Sequence, residues 1–95
     1  MSIDRLPVAD ILRLAEANGA SHVRIFGSRA RGDASPTSDL DLLVRLERGR
    51  SLLDLVALKQ SLEDRLGVRV DVVSEAGLSP HLRDRILAEA TLLAA

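Results

Sequence analysis

Residues 27–44 have the sequence GSRARGDASPTSDLDLLV, and this stretch decides the fold. It follows a short β-prone run at 22–26 and ends in alternating aspartate and leucine residues, the pattern of a strand with one apolar face. A glycine between the first strand and the polar residues permits a sharp backbone turn. We therefore predict a strand at 22–26, one helical turn at 28–31, a loop at 33–37 and a second strand at 39–44.

The rest of the sequence adds three longer helices and one strand. Apolar residues at helical spacing predict a first helix at 7–18 and a second long helix that ends at Gly67. The alternating run at 68–73 predicts a third strand, and Ser79 before Pro80 predicts a last helix that continues to the chain end. Three apolar helix stripes need a sheet face to cover, so we predict a two-layer α/β or α+β sandwich.

Size and composition indicate a single soluble domain over residues 1–95. Hydrophobic residues make up 46% and charged residues 28% of the chain, which suits a globular protein. Thirteen basic and fourteen acidic residues give a net charge of −1, and Phe26 is the only aromatic residue. The sequence therefore lacks both the basic excess and the aromatic surface that are typical of general nucleic-acid binders.

The expected location is the cytoplasm. The absence of cysteine excludes disulfides and thiolate metal sites, and it fits a reducing compartment. No apolar run approaches the ~18 residues of a membrane span. Asp4 and Arg5 lie close to Met1, where a signal peptide would have its apolar core.

Three aspartates are the candidate catalytic residues and metal ligands. Asp39 and Asp41 are two positions apart on a strand, so their side chains point to the same face with Cα atoms roughly 6–7 Å apart. In the third strand Asp71 alternates with Val70 and Val72. If the valines face the helices, Asp71 emerges on the same open side as the other two carboxylates.

Such a cluster is costly without a cation. Two unit charges ~6 Å apart repel by roughly 3 kcal/mol at an effective dielectric constant near 20. Oxygen ligands select hard ions such as Mg²⁺, which also binds substrate phosphates, and two such ions assist displacement at phosphorus. A third carboxylate can bind the catalytic ion or accept a proton from the attacking hydroxyl. Alternation of aspartate and leucine also fits any strand with one solvated face, so the functional interpretation depends on the neighbouring turn.

That turn has the residue types that bind phosphate. Gly27 lets a ligand approach the backbone without a Cβ in the way, and Ser28 offers a hydroxyl and an N–H. Arg29 and Arg31 can add charge-assisted contacts to a triphosphate. We predict a nucleotide site formed by Gly27, Ser28 and Arg29, together with Ser38 before the first aspartate. The sequence matches neither the P-loop nor the dinucleotide-binding pattern.

The motifs GSRARG at 27–32 and SDLD at 38–41 closely resemble those of the minimal nucleotidyltransferases of the polymerase-β superfamily. The resemblance extends to VDVV at 70–73 and PHLR at 80–83, so it covers nearly the whole chain. It implies a small mixed sheet with helices on one face and the active site on the other.

The resemblance also implies an ATP–Mg²⁺ site. Gly27 and Ser28 would contact the triphosphate, and Asp39, Asp41 and Asp71 would bind two Mg²⁺ ions. Members of this branch are usually antitoxins that are paired with a HEPN-domain ribonuclease toxin. The family implies transfer of AMP from ATP to a tyrosine hydroxyl of that toxin, which blocks its ribonuclease activity.

Two other functions remain open. The first alternative is a non-catalytic antitoxin that neutralises its partner by occlusion, and the second is a nucleotidyltransferase that acts on a small molecule. The complete set of three aspartates favours catalysis. Leu53 and Val56, beside the apolar stripe of the second long helix, are ordinary core residues, incidentally exposed residues or part of a partner surface, and the first two interpretations are favoured.

Overall fold

The computed structural model describes residues 7–33, 35 and 38–93, a part of the chain that forms four helices, four strands and one 3₁₀ turn. Ala34, Pro36 and Thr37 of the predicted loop lie outside the described residues, as do the N-terminal positions 1–6. None of the described helices is both long and apolar enough to cross a bilayer. The elements are α1 (Val8–Ala17), β1 (Ala20–Phe26), α2 (Ser28–Arg31), β2 (Leu40–Leu46), α3 (Leu52–Leu66), β3 (Val70–Ser74), the 3₁₀ turn (Glu75–Gly77), α4 (Pro80–Glu89) and β4 (Thr91–Leu92).

The longest helix, α3, has strong local signals at both ends. At its start the Leu53 N–H donates to Ser51 Oγ (3.2 Å), and the Ser51 N–H donates to Asp54 Oδ2 (2.8 Å). This reciprocal pair is a capping box, with aspartate in place of the more common glutamate. At its end Gly67 adopts a left-handed conformation with φ +71°, which glycine tolerates without a steric penalty. The prediction of this helix is confirmed.

The four strands form one mixed sheet in the order β3-β2-β1-β4. β1 pairs antiparallel with β2 and with β4, whereas β2 and β3 are parallel. A parallel pair needs a crossover connection, which α3 supplies. The predicted α/β fold with a small mixed sheet is confirmed.

The hydrophobic core lies on one face of this sheet. α1 contacts β1 and α3 contacts β3, and the two helices also contact each other. Leu40, Leu42 and Val44 are fully buried, as the alternation predicted, but Leu43 on the opposite face is fully buried as well. The described part of α4 supplies none of the core residues, which are Ile11, Ala15, Ala20, Val23, Ile25, Leu40, Leu42, Val44, Leu55, Leu58, Leu62, Val70 and Leu93.

The C-terminal segment differs from the prediction. We expected the last helix to continue to the chain end, but α4 ends at Glu89 and β4 follows. β4 pairs with the edge of β1 that β2 leaves free, and the Leu93 N–H then donates to the Val23 carbonyl (2.9 Å). The buried Leu93 side chain joins the core. Non-local pairing and burial therefore override the local helical pattern.

Two leucines of α3 test where the core lies. Leu58 is fully buried, whereas the side chain of Leu53 is 78% exposed. We expect Leu58→Ala to lower the free energy of unfolding by about 2–5 kcal/mol, because it removes buried methyl groups and leaves a cavity. Leu53→Ala should change it by less than about 0.5 kcal/mol. Urea unfolding followed by circular dichroism measures both, and equal losses would contradict this placement of the core.

Candidate active site

Asp41 and Asp71 are direct neighbours in the sheet. The parallel register of β2 and β3 pairs Asp41 with Asp71 and, one step further, Leu42 with Val72. Paired residues on adjacent strands are about 4.8 Å apart, and their side chains project to the same face. Leu42 belongs to the core and Val72 packs against it. The two aspartates therefore lie side by side on the face opposite the core, which is where the strand pattern placed them.

Asp39 completes the acidic group from a different kind of position. It lies just before β2, is exposed to solvent, and is two residues from Asp41. Partial burial raises the pKa of the Asp41 carboxyl, and the negative charges of Asp71 and then Asp39 raise it further. Arg31 and Arg29 oppose this effect. Asp41 therefore interacts electrostatically with both Asp71 and Asp39.

The carboxylates do not form a ready-made metal cage. Within the described part of the chain, no three acidic or histidine side chains are close enough to bind a metal ion. Asp41 and Asp71 are nevertheless paired by the register, and the exposed Asp39 is adjacent. Three carboxylates without sulfur or imidazole ligands are a donor set that suits a hard divalent cation.

Gly27 brings the turn into contact with the acidic group. Phe26 is paired with Asp41, so the turn begins next to this carboxylate. Gly27 has φ +77° and ψ −153°, a backbone conformation that essentially only glycine adopts. A Cβ at this position would lie 2.3 Å from Asp41 Oδ2. The absence of a side chain is therefore required both by the backbone conformation and by the position of Asp41.

Arg29 has a different position from the one that the sequence suggested. Its side chain is only 2% exposed, and Nη2 donates to the backbone carbonyl of Ser38. Its Nε and Nη1 groups are buried without a hydrogen-bond partner among the described residues. Arg29 therefore fixes the backbone just before Asp39, and its charge lowers the pKa of Asp41. Whether it also contacts a nucleotide stays a prediction.

The two predicted serines have separate environments. Ser28 begins the short helix α2 and is half-buried, and its hydroxyl has no hydrogen-bond partner among the described residues. The Ser38 hydroxyl accepts a hydrogen bond from the Ser35 N–H (2.8 Å), and the Ser38 N–H donates to the Ser35 carbonyl (3.1 Å). Ser38 thus shapes the loop that leads to Asp39, while Ser28 lies beside Gly27 on the turn.

One residue of this region was missed by the sequence analysis. The Gly27 N–H donates to Glu89 Oε1 (3.1 Å), and the same oxygen is 3.6 Å from Arg31 Nη1. Glu89 is 62 positions away in the sequence, at the end of α4. Only knowledge of the pairing between β1 and β4 would have indicated this contact.

The close contact at Gly27 is testable against a second glycine. Gly32 also has a positive φ, +81°, but an added Cβ would have no atom within 4 Å. We expect Gly32→Ala to cost about 1 kcal/mol of stability, from backbone strain alone. Gly27→Ala should cost about 3 kcal/mol, because its backbone region is less accessible and the methyl group forces the Asp41 carboxylate to move. Urea unfolding measures both losses, and equal values would show that the contact with Asp41 contributes nothing.

The raised pKa of Asp41, caused by burial and by the charges of Asp71 and Asp39, predicts a pH-dependent stability. A carboxyl with a raised pKa in the folded state favours folding below its unfolded value, near 3.8, and this contribution is lost as the pH rises through the folded value. At pH 7 the charged Asp41 therefore opposes folding. We expect Asp41→Asn to raise the melting temperature at pH 7 by about 2–4 °C, because partly exposed like charges interact weakly.

The gain from Asp41→Asn should shrink as the pH falls through the raised pKa of Asp41 in the folded state, and it should vanish below about 3.8, where the carboxyl is neutral in both the folded and the unfolded state. Thermal melts between pH 3 and pH 7.5 in metal-free buffer measure it. Asp64→Asn, at an exposed position of α3, is the matched control and should show no comparable gain at pH 7. A gain that stays constant across this range would contradict the electrostatic origin.

Comparison with known sequences shows the family. A family model for a nucleotidyltransferase domain matches residues 11–93. A protein of Methanocaldococcus jannaschii, provisionally named a protein adenylyltransferase, is 48% identical over 80 residues, which cover 84% of this chain and 86% of that protein. Protein adenylyltransferase MntA of Thermococcus cleftensis is 37% identical over 87 residues, covering 92% of this chain and 88% of the relative.

Solved structures agree with this result. A structure provisionally named a minimal nucleotidyltransferase superposes with a TM-score of 0.86 at 53% identity, covering 98% of this chain and 97% of the other. A chain from a complex described as tri-AMPylated Shewanella oneidensis HEPN toxin with MNT antitoxin superposes with a TM-score of 0.72 at 21% identity. The match covers 93% of this chain and 69% of the other, and at this identity it shows a shared fold alone. Since the motif, the sheet register and the matched sequences all agree, the chain belongs to the nucleotidyltransferase domain family and is a nucleotidyltransferase.

Proposed function

We propose that this protein is a Mg²⁺-dependent protein adenylyltransferase of the cytoplasm. In this proposal it transfers AMP from ATP to a tyrosine hydroxyl of a HEPN-domain toxin and thereby acts as the antitoxin. The names of its relatives support a protein acceptor, and the fold is shared with an antitoxin bound to a tri-AMPylated HEPN toxin.

The contact between Gly27 and Asp41 is the observation that carries this proposal. A nucleotidyltransferase has to hold a triphosphate next to the carboxylates that bind the catalytic metal. Here the turn predicted to bind phosphate touches Asp41, which is paired with Asp71. One β-ladder on each side of β2 maintains this arrangement, because β2 pairs with both β1 and β3.

The acidic group is suited to hold the metal. Asp39, Asp41 and Asp71 would bind two Mg²⁺ ions. Burial, together with the negative charges of Asp71 and Asp39, raises the pKa of Asp41, and a bound divalent cation would stabilise its charged form. When bound, such ions neutralise the charge that develops on the attacking and leaving oxygens.

The turn is suited to hold the triphosphate. Gly27 allows close approach to the backbone, and Ser28 presents a hydroxyl without a partner among the described residues. Arg31 is half-exposed beside the turn and supplies a positive charge. The buried Arg29 keeps the loop before Asp39 in place through the Ser38 carbonyl, so we assign it a positioning role.

We propose the following transfer of AMP from ATP to the acceptor hydroxyl at this site. The acceptor oxygen forms a bond to the α-phosphorus, the bond from the α-phosphorus to the oxygen that bridges to the β-phosphate breaks, and pyrophosphate leaves. The hydroxyl proton passes to a carboxylate, for which we propose Asp71. Asp71 is exposed and belongs to an edge strand, so an acceptor can reach it from solvent.

An exposed apolar strip supports a protein rather than a small molecule as acceptor. Leu52, Leu53 and Val56 of α3 are 72%, 78% and 42% exposed. Val56 follows Leu52 by four residues and Leu53 by three, so its side chain is a neighbour of both on the helix surface. Exposed apolar groups of this kind are typical of protein contact sites.

Transfer of labelled AMP tests the proposed function. We expect the wild-type chain with Mg²⁺ and α-labelled ATP to label a partner protein, whereas γ-labelled ATP should leave it unlabelled. The double variant Asp39→Asn/Asp41→Asn should reduce labelling by at least about 100-fold, because the carboxylates that hold the metal are lost. Asp64→Asn is the control and should retain the wild-type rate.

If a neighbouring reading frame encodes a helical HEPN protein, the assay uses that protein as the acceptor. Otherwise it uses cell extract as the source of the acceptor. Replacement of its target tyrosine by phenylalanine should abolish labelling. If the double aspartate variant labels the partner at the wild-type rate, the proposed function is wrong. If it neutralises the toxin without labelling it, at the wild-type stoichiometry, neutralisation occurs by occlusion.

A further inference from the structure

We infer that Glu89 sets the affinity of the nucleotide site by occupying the anion-binding turn when no triphosphate is bound. Its Oε1 accepts the Gly27 N–H (3.1 Å) and lies 3.6 Å from Arg31 Nη1. A backbone N–H and a guanidinium are the groups that bind a phosphate oxygen. This inference rests on the proposed function, because it assumes that the triphosphate binds at Gly27.

The sheet register explains why Glu89 is at this place. In the antiparallel ladder of β1 and β4, Ile25 is opposite Thr91 and Arg24 is opposite Leu92. The same register, continued by two residues, brings Gly27 opposite Glu89. The position of Glu89 is therefore a consequence of β4, the strand that the sequence did not predict.

The backbone and the side chain of Glu89 differ in their constraints. Beyond β4, the Leu93 N–H donates to the Val23 carbonyl (2.9 Å), and the Leu93 side chain is buried, so the backbone is fixed against β1. The Glu89 side chain, in contrast, is 40% exposed, so packing does not hold it in one position. It can leave Gly27 by side-chain rotation alone, without unfolding of β4 or α4.

Displacement of Glu89 has an electrostatic cost. Glu89 and a triphosphate are both anionic, and they would use the same N–H and the same guanidinium. Gly27 also lies against Asp41, whose pKa is raised by burial and by the negative charges of Asp71 and Asp39, so further negative charge at this turn is unfavourable. A nucleotide that carries its own cation offsets this repulsion, whereas a free anion does not. Glu89 should therefore weaken nucleotide binding and favour the metal-bound form.

The test compares Glu89→Gln with a matched control on the same helix. Glutamine keeps an oxygen that can accept the Gly27 N–H but removes the charge. Asp84→Asn removes one charge from an exposed position of α4 whose carboxylate is 3.8 Å from Arg83 Nε. We expect Glu89→Gln to bind Mg-ATP about tenfold more tightly than the wild type at low salt, and Asp84→Asn to stay within about twofold.

Isothermal titration with Mg-ATP in the absence of acceptor measures these affinities, and thermal melts verify that each variant is folded. A second measurement follows the Gly27 amide resonance, which should shift in Glu89→Gln but not in Asp84→Asn. Equal affinities of the wild type and Glu89→Gln, or weaker binding by Glu89→Gln, would overturn the role of Glu89 and leave the proposed function intact. If Mg-ATP binds none of the three proteins, both proposals are wrong.

Discussion

The parallel pairing of β2 with β3 places two like charges side by side, and the rest of the site depends on this constraint. Asp41 and Asp71 occupy paired positions because Leu40 pairs with Val70 and Leu42 with Val72 on the opposite face. Those apolar residues belong to the core or pack against it. Burial of each large side chain stabilises a fold by about 1.5–3 kcal/mol. Four such residues lie on this face, so together they outweigh a repulsion of roughly 3 kcal/mol between two carboxylates. The register is therefore set by the apolar face, and the acidic face follows from it.

Positive charges near the turn reduce this repulsion without removing it. Arg29 and Arg31 both lower the pKa of Asp41, yet burial together with Asp71 and Asp39 has the larger effect. Burial of the Arg29 guanidinium costs free energy, because a buried charge needs several hydrogen bonds. Among the described residues, this side chain donates a hydrogen bond to the Ser38 carbonyl alone. A buried and incompletely paired group of this kind is typical of a functional site. We conclude that Arg29 stabilises the arrangement of the loop before Asp39 at the expense of overall stability.

Local patterns made most of the fold predictable. The capping residues of α3, the alternation at 39–44 and the turn at Gly27 each act within a few residues, so the sequence indicated these elements and the face on which the aspartates lie. The burial of Arg29 was not predictable, because its contact with the Ser38 carbonyl joins residues that are nine positions apart. β4 and the contact of Glu89 with Gly27 were missed for a related reason. They depend on a pairing across more than 60 residues, and nothing in the local sequence distinguishes two residues that extend a helix from two that join a sheet edge.

The two edges of the sheet have different surroundings, and this difference bears on how an acceptor reaches the site. At one edge β4 covers β1 and leads back to Glu89 beside the turn. At the other edge β3 carries Asp71, and its Val70 N–H donates to Glu63 Oε2 (3.0 Å), which also pairs with Lys59 (2.7 Å). A side chain that binds an edge N–H hinders the addition of a further strand. A partner protein that uses Asp71 should therefore approach through side-chain contacts, with its hydroxyl group directed at the acidic face, rather than by extending the sheet.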